Sequence, residues 1–171
     1  MKKKKNVVLI GMPGAGKSTI GVVLAKMLGK DFIDADLVIQ KKEGLLLKDI
    51  IAREGTEGFL RVEEKVNAEL SPENAVIATG GSVVYGKRAM EHLGEIGIVV
   101  YLRLSYEAVE SRLSDIHGRG VVLRDGQTLR DLYEERVVLY EKYADITVEE
   151  DGLGVEETLE KTLQALEMLI E

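Results

Sequence analysis

The chain has 171 residues, 45% hydrophobic and 31% charged, which predicts one domain with a sizeable buried core. A net charge of −7 argues against nucleic acid as the main partner, since phosphate binding needs basic surface, and the absence of cysteine excludes disulfides and thiolate metal sites. Residues 1–5 are basic, but the apolar run after them is too short for a signal segment or a membrane span, so a cytoplasmic protein with no membrane partner is expected.

Val7-Val8-Leu9-Ile10 is a β-branched run of the kind found in buried strands. A glycine-rich stretch, 11–19, leads into a helix over 20–28 with apolar residues at Ile20, Val23, Leu24 and Leu28, and Gly29 stops it. Asp31-Phe32-Ile33-Asp34 reads as a second strand, followed by Asp34-Ala35-Asp36 and a helical segment over 37–42 that Gly44 breaks. Short and longer helices are expected over 47–53 and 57–70, separated at Gly55 and ended by Ser71-Pro72. Ala75-Val76-Ile77-Ala78 is a third strand running into Thr79-Gly80-Gly81-Ser82. A helix over 87–93, a fourth strand over 98–102 and a helix over 106–113 come next. Residues 114–127 hold four charged residues and three glycines and read as a long mobile loop. A helix over 128–143, a fifth strand over 146–148 and an amphipathic helix over 155–170, apolar at Val155, Leu159, Leu163, Leu166 and Ile170, complete the chain. Strands alternating with helices give an α/β fold with a parallel sheet covered on both faces. Ligands in such sheets bind beyond the carboxyl ends of the strands, so the loops at 11–19, 34–36 and 79–82 should share one edge.

Gly11-Met12-Pro13-Gly14-Ala15-Gly16-Lys17-Ser18-Thr19 fits the phosphate-loop pattern G-x-x-x-x-G-K-[ST] between a strand and a helix. Backbone N–H groups and a positive helix end then converge on one spot. Gly14, Ala15, Gly16, Lys17, Ser18 and Thr19 are expected to bind ATP. Lys17 serves as an exposed point charge for the β- and γ-phosphates, and Ser18 as a ligand for Mg²⁺. A second metal carboxylate usually ends a buried strand; the third and fourth strands offer none at their ends, whereas the second does, with Asp34 and Asp36. In extended chain Asp34 and Asp36 point the same way. One could hold Mg²⁺ and the other accept a proton from an attacking hydroxyl. The alternative is that Asp34 caps the next helix.

Phe59, Val62, Val66 and Leu70 mark an apolar helix face that also carries Glu63. A carboxylate there needs a partner or a ligand, and a buried Glu–Arg pair explains it as well as a functional role does. Gly80-Gly81 lets backbone approach a ligand closely, with a plain turn as the alternative. The loop over 114–127 has the size of a lid, and its Arg119 and Arg124 are candidates to neutralise transition-state charge or to be solvated loop charges. The pattern leaves the role of Arg136 open. His92 and His117 are expected at the surface.

With these residues placed, the chain resembles the shikimate kinase family, within the nucleoside-monophosphate-kinase-like group. The resemblance runs from about Asn6 to the end. It rests on the phosphate loop through Gly21, F-I-D-A-D at 32–36, F-L-R-V-E-E at 59–64, T-G-G-S at 79–82, the lid around Arg119, and E-R-V-V-L-Y-E-K-Y-A-D at 135–145. It implies a single P-loop kinase domain over 1–171, with a five-stranded parallel sheet in order 2-3-1-4-5, a mobile lid over 114–127 and an acceptor-binding region over 34–70. The implied reaction is ATP plus shikimate giving shikimate 3-phosphate and ADP with Mg²⁺, a step of aromatic amino acid biosynthesis, carried out by a monomer. By position, Lys17 and Ser18 match phosphate and Mg²⁺ residues, Asp34 the residue holding the Mg²⁺ shell, and Asp36 the carboxylate on the substrate hydroxyl, acting as base. Arg119 matches the lid arginine that reaches the phosphates, and Arg112 an adenine-stacking arginine. Arg136 matches the arginine that binds the substrate carboxylate, and Gly80 and Gly81 the glycines lining the substrate pocket.

The acceptor half departs from that pattern. The family's F-R-x-x-E reads Phe59-Leu60-Arg61-Val62-Glu63, so Leu60 stands where one carboxylate-gripping arginine is expected. Arg61 is about 100° around the helix and cannot simply substitute. Ser82 replaces a third pocket glycine, Arg119-Gly120 an Arg-Pro, and Val138-Leu139-Tyr140 a Pro-Leu-Tyr. Two other readings follow from the residues: a related kinase acting on another polyol, hydroxy acid or amino acid, and a nucleotide-binding regulator without transfer activity. Lys17, Asp34, Asp36 and Arg119 together argue against the regulator. A GTPase is excluded because no N-K-x-D motif occurs.

Overall fold

Five short strands lie side by side, all parallel, in the order β2-β3-β1-β4-β5. They are β1 (Asn6–Ile10), β2 (Asp31–Asp34), β3 (Ala75–Ala78), β4 (Gly97–Arg103) and β5 (Ile146–Glu149). This is the order the resemblance implied. The computed structural model describes residues 4–114, 121 and 123–170. Helices α1 (Lys17–Leu28), α2 (Ala35–Glu43), α3 (Leu47–Ala68), α4 (Lys87–Ile96), α5 (Tyr106–Ser114), α6 (Leu129–Tyr143) and α7 (Val155–Ile170) surround the sheet, with a 3₁₀ turn at Val83–Tyr85. Among the described residues no helix is long and apolar enough to cross a membrane.

The inner strands β1 and β3 are buried along their whole length, which is why they read as continuous apolar runs rather than alternating ones. Val8 lies between Ile77 and Val99, and Leu9 between Ala78 and Val100. At the amino end of the sheet the Asn6 amide donates to the carbonyls of Pro72 (2.8 Å) and Ile96 (3.0 Å) and accepts from Ala75 N–H (2.8 Å). That end is thus fastened, and the carboxyl ends of the strands are left to form loops.

Several boundaries move for physical reasons. The two helices expected over 47–53 and 57–70 are one element, α3, broken at Gly55 (φ 72°, ψ 177°) and ending at Ala68. α2 starts at Ala35 because Asp34 caps it. On α1, Ile20 and Leu24 are buried, but Val23 and Leu28 are on the solvent side, and Ala25 packs inward instead. On α7, Leu159 and Leu166 are buried while Val155 is exposed. His92 is half-buried on the carbonyl of Leu70 rather than a free surface residue. His117 lies outside the described residues, as do residues 115–120 and 122 of the expected lid.

Candidate active site

The carboxyl ends of β1, β2 and β3 open onto one cavity of about 510 Å³. The loop before α1, Asp34, Asp36, Glu63, the turn at 79–82 and Arg136 all line it. The three loops that the sequence placed on one edge do meet there.

On the phosphate-loop side, Lys17 is buried rather than exposed, at 8% relative exposure. Its ammonium donates to the loop's own carbonyls, Gly11 at 2.7 Å and Met12 at 2.9 Å. The loop thereby holds the charge in place at the N-terminus of α1. Gly14, Gly16, Ser18 and Thr19 line the cavity. Ala15 does not: its side chain is in the core, and its N–H donates to the Met12 carbonyl at 3.1 Å. Arg112, at the end of α5, reaches back and donates to the Gly14 carbonyl at 2.9 Å.

Asp34 caps the next helix, as one expectation had it, and keeps its second oxygen beside Ser18. Its Oδ1 caps α2, accepting from the N–H groups of Asp36 (3.0 Å) and Leu37 (3.3 Å). Its Oδ2 accepts from the Ser18 hydroxyl at 3.0 Å. Capping fixes the carboxylate, so the second oxygen is aimed at Ser18. Among the described residues no group of three or more His, Cys, Asp or Glu side chains is placed to hold a metal. Ser18 and Asp34 offer two oxygens, which fits Mg²⁺, an ion that usually takes one or two protein ligands plus phosphate and water.

Asp36 is in the first turn of α2, not in extended chain, so the i, i+2 argument does not describe it. It faces the cavity by another route. A Cβ placed on Gly80 would lie 2.8 Å from both Asp36 Oδ1 and Glu63 Oε2, so only glycine lets the turn pass between these carboxylates. A Cβ on Gly81 would likewise lie 2.7 Å from the Pro13 ring and 3.0 Å from Arg136 Nη1. At both positions glycine is set by close approach to neighbouring side chains of the protein itself.

Glu63 is 2% exposed, and the partner found for it is the Ser82 hydroxyl, which donates to Oε1 at 2.6 Å. Burial pushes its carboxyl up to about 7; the Ser82 bond opposes this, the Asp36 charge adds to it, and Arg136 and Lys17 oppose it. Arg136 is 3% exposed and donates through Nε to the Tyr85 hydroxyl at 3.4 Å. Leu60 lines a smaller neighbouring recess rather than the main cavity, and Arg61 is exposed on α3. Arg119 lies outside the described residues.

Three contributors were not singled out from sequence. Tyr140 is fully buried, stacks on Tyr101 at 5.0 Å and donates to the Gly81 carbonyl at 2.6 Å, holding the turn that faces Arg136. Its spacing of four from Arg136 put both on one face of α6, and this was the available signal. Tyr85 sits in the 3₁₀ turn, which has no periodicity to read. Glu150 follows Ile146 and Val148 in strand alternation and is buried at 3% exposure, with Oε2 unbonded. Burial lifts its carboxyl to about 7, against the pull of Arg112 and Lys17 and with a push from Asp151.

Comparison with known proteins decides the family. A family model described as shikimate kinase matches residues 13–167. The chain belongs to the shikimate kinase family. A shikimate kinase of Francisella tularensis subsp. novicida is 41% identical over 165 residues, 94% of each chain. One from Thermodesulfovibrio yellowstonii is 36% identical over 168 residues, 96% of each. The solved shikimate kinase from Acinetobacter baumannii in complex with shikimate aligns with TM-score 0.86 and 35% identity, covering 96% of this chain and 94% of that one. The family match spans the cavity residues from Pro13 to Arg136.

Proposed function

We propose that this protein transfers the γ-phosphoryl group of ATP to a hydroxyl of shikimate. One observation carries the reading: the phosphate-loop residues Lys17 and Ser18 and the acceptor-side residues Asp36, Glu63, Gly80, Gly81 and Arg136 line a single cavity. Family membership gives the acceptor.

In this reading the phosphate loop and Lys17 hold the β- and γ-phosphates, with Lys17 exchanging the carbonyls of Gly11 and Met12 for phosphate oxygens. Ser18 and Asp34 hold Mg²⁺, which when bound neutralises charge on the phosphates. Arg136 binds the acceptor carboxylate, and the turn at Gly80 and Gly81 lets the acceptor ring lie close to backbone. Asp36 accepts the proton of the attacking hydroxyl. The acceptor oxygen forms a bond to the γ-phosphorus, and the bond to the bridging oxygen breaks, leaving its electron pair on ADP. Glu63, its carboxyl raised to about 7 by burial, positions Ser82 and repels the anionic acceptor less than a fully ionised carboxylate would. Arg112 neighbours the nucleotide at Gly14, and Arg119, by its resemblance to the family's arginine at that position, supplies charge to the phosphates.

The test is ADP release with ATP, Mg²⁺ and shikimate, beside a panel of hydroxy acids, polyols and hydroxyl-bearing amino acids. Turnover that requires shikimate and is lost in Lys17→Met supports the reading. Turnover of a different acceptor in preference to shikimate would overturn the assignment of the acceptor and leave the kinase.

A further inference from the structure

Beside the main cavity lies a small recess lined by Leu60, Tyr85, Arg124, Gln127 and Arg136, among others. Arg136 borders both spaces. Two guanidinium groups share one phenol ring there: the Cζ atoms of Arg124 and Arg136 lie 5.5 and 5.4 Å from the Tyr85 ring centroid. The two arginines are held in different ways. Arg136 is buried against a neutral hydroxyl. Arg124 is half-exposed, with Nε 3.5 Å from Glu57 Oε1 and Nη1 3.3 Å from Glu135 Oε1. Both of those carboxylates are exposed, at 67% and 39%, and exposed pairs contribute only about 0–1 kcal/mol. The Arg124 backbone is fixed more firmly. Its N–H donates to Gln127 Oε1 at 3.1 Å and its carbonyl accepts from Gln127 N–H at 2.9 Å, just before the Thr128–Asp131 capping box of α6. A fixed main chain thus carries a guanidinium whose present partners are weak, next to a buried arginine at the anionic end of the cavity.

We propose that Arg124 is a second acceptor-binding residue, whose guanidinium exchanges Glu57 for the carboxylate of the acceptor and grips it together with Arg136. Planar guanidinium groups match carboxylates in paired, directed bonds, so two of them fix an acid's orientation as well as its charge. Leu60 contributes only apolar wall to this recess, so the second positive group comes from the segment before α6 rather than from α3. Glu57 is the competing anion and sets how readily Arg124 is released. This inference rests on the reading of shikimate as acceptor.

The experiment compares natural protein, Arg124→Met and Glu57→Gln in ADP-release kinetics with shikimate and with its uncharged methyl ester. Arg124→Met is expected to raise KM for shikimate roughly 10- to 150-fold, the range of one charge-assisted hydrogen bond, with a much smaller effect on kcat. KM for the ester should be unmoved. Glu57→Gln should lower KM for shikimate. If the natural protein uses shikimate and Arg124→Met leaves its KM within twofold, or raises KM equally for acid and ester, the inference is overturned and the function stands. If the natural protein itself does not use shikimate, the function fails first, and this inference with it.

Discussion

Ser82 donates its hydroxyl proton to Glu63 Oε1 at 2.6 Å, and both residues are buried. The bond joins the turn after β3 to the middle of α3 and is the described hydrogen-bond partner of a carboxyl that burial has moved to about 7. Because a donated hydrogen bond favours the ionised form, Ser82 matters most when Glu63 is charged. Removing one partner of a buried pair leaves the other with its desolvation cost, about 1–3 kcal/mol. Ser82→Ala is therefore expected to destabilise the ligand-free protein by that order at pH 8 and by less at pH 5. Chemical denaturation at the two pH values measures it. A cost that is the same at both would mean that Glu63 does not change charge between them.

The two aspartates are separable because Asp34 has two oxygens with two jobs. Asn is as good a helix cap as Asp, so Asp34→Asn keeps the cap on α2 with its one oxygen and turns an uncharged NH₂, which cannot ligate a metal, toward Ser18. This variant is expected to raise the Mg²⁺ concentration needed for half-maximal activity. Asp36→Asn is expected to lower kcat by about 10²-fold or more, since general-base help is typically ~10²–10⁴. Mg²⁺ titrations of activity for both variants make the comparison. Matching Mg²⁺ curves for the two would show that the roles are wrongly divided.

The strands were legible because both faces of the sheet are covered, so each inner strand is an uninterrupted apolar run, as in Val7-Val8-Leu9-Ile10. The convergence of Lys17, Asp34, Asp36 and Gly80 was legible for a topological reason: each follows a parallel strand directly. What escaped is set by tertiary contact. Nothing near Lys17 in the chain reveals that the loop's own carbonyls bury it. Asp36 was placed by an extended-chain rule, although the Asp34 cap had already started a helix there. Arg124 and Tyr85 are about forty residues apart and meet only when α6 packs against the 3₁₀ turn, so no local spacing could join them.

Glu150 gives a pH dependence whose sign can be worked out. Its carboxyl is held at about 7, above the ordinary 4.5, mainly by burial, with Arg112 and Lys17 pulling down and Asp151 pushing up. The folded state binds this proton more tightly than the unfolded state. Its contribution to stability is therefore present below about pH 4.5 and is lost as pH rises through 7. Glu150→Gln keeps the neutral shape at every pH. The variant and the natural protein should melt at similar temperatures at pH 5, and the variant should melt higher at pH 8. Thermal unfolding without nucleotide across that range is the measurement. A variant less stable at pH 8 would mean that the charged carboxylate is held by Arg112 or Lys17 strongly enough to offset its burial.

Leu60 is where the chain departs from the family pattern, and the structure turns that departure into a test of which arginine does the gripping. Leu60 shares its recess with Arg124 and Arg136. If Arg124 already supplies the second guanidinium, an arginine at 60 adds charge without a free partner in the natural background. Leu60→Arg alone is then expected to change KM for shikimate little. In the Arg124→Met background the same substitution should recover most of the lost affinity, because a charge-assisted bond of about 1.5–3 kcal/mol can form again, worth roughly 10- to 150-fold. Both effects should fall on KM rather than kcat, since the carboxylate end is bound alike before and during transfer. KM and kcat for the four forms complete the cycle. An equal improvement from Leu60→Arg in the natural and the Arg124→Met backgrounds would show that the natural site lacks the second grip and that Arg124 does not provide it.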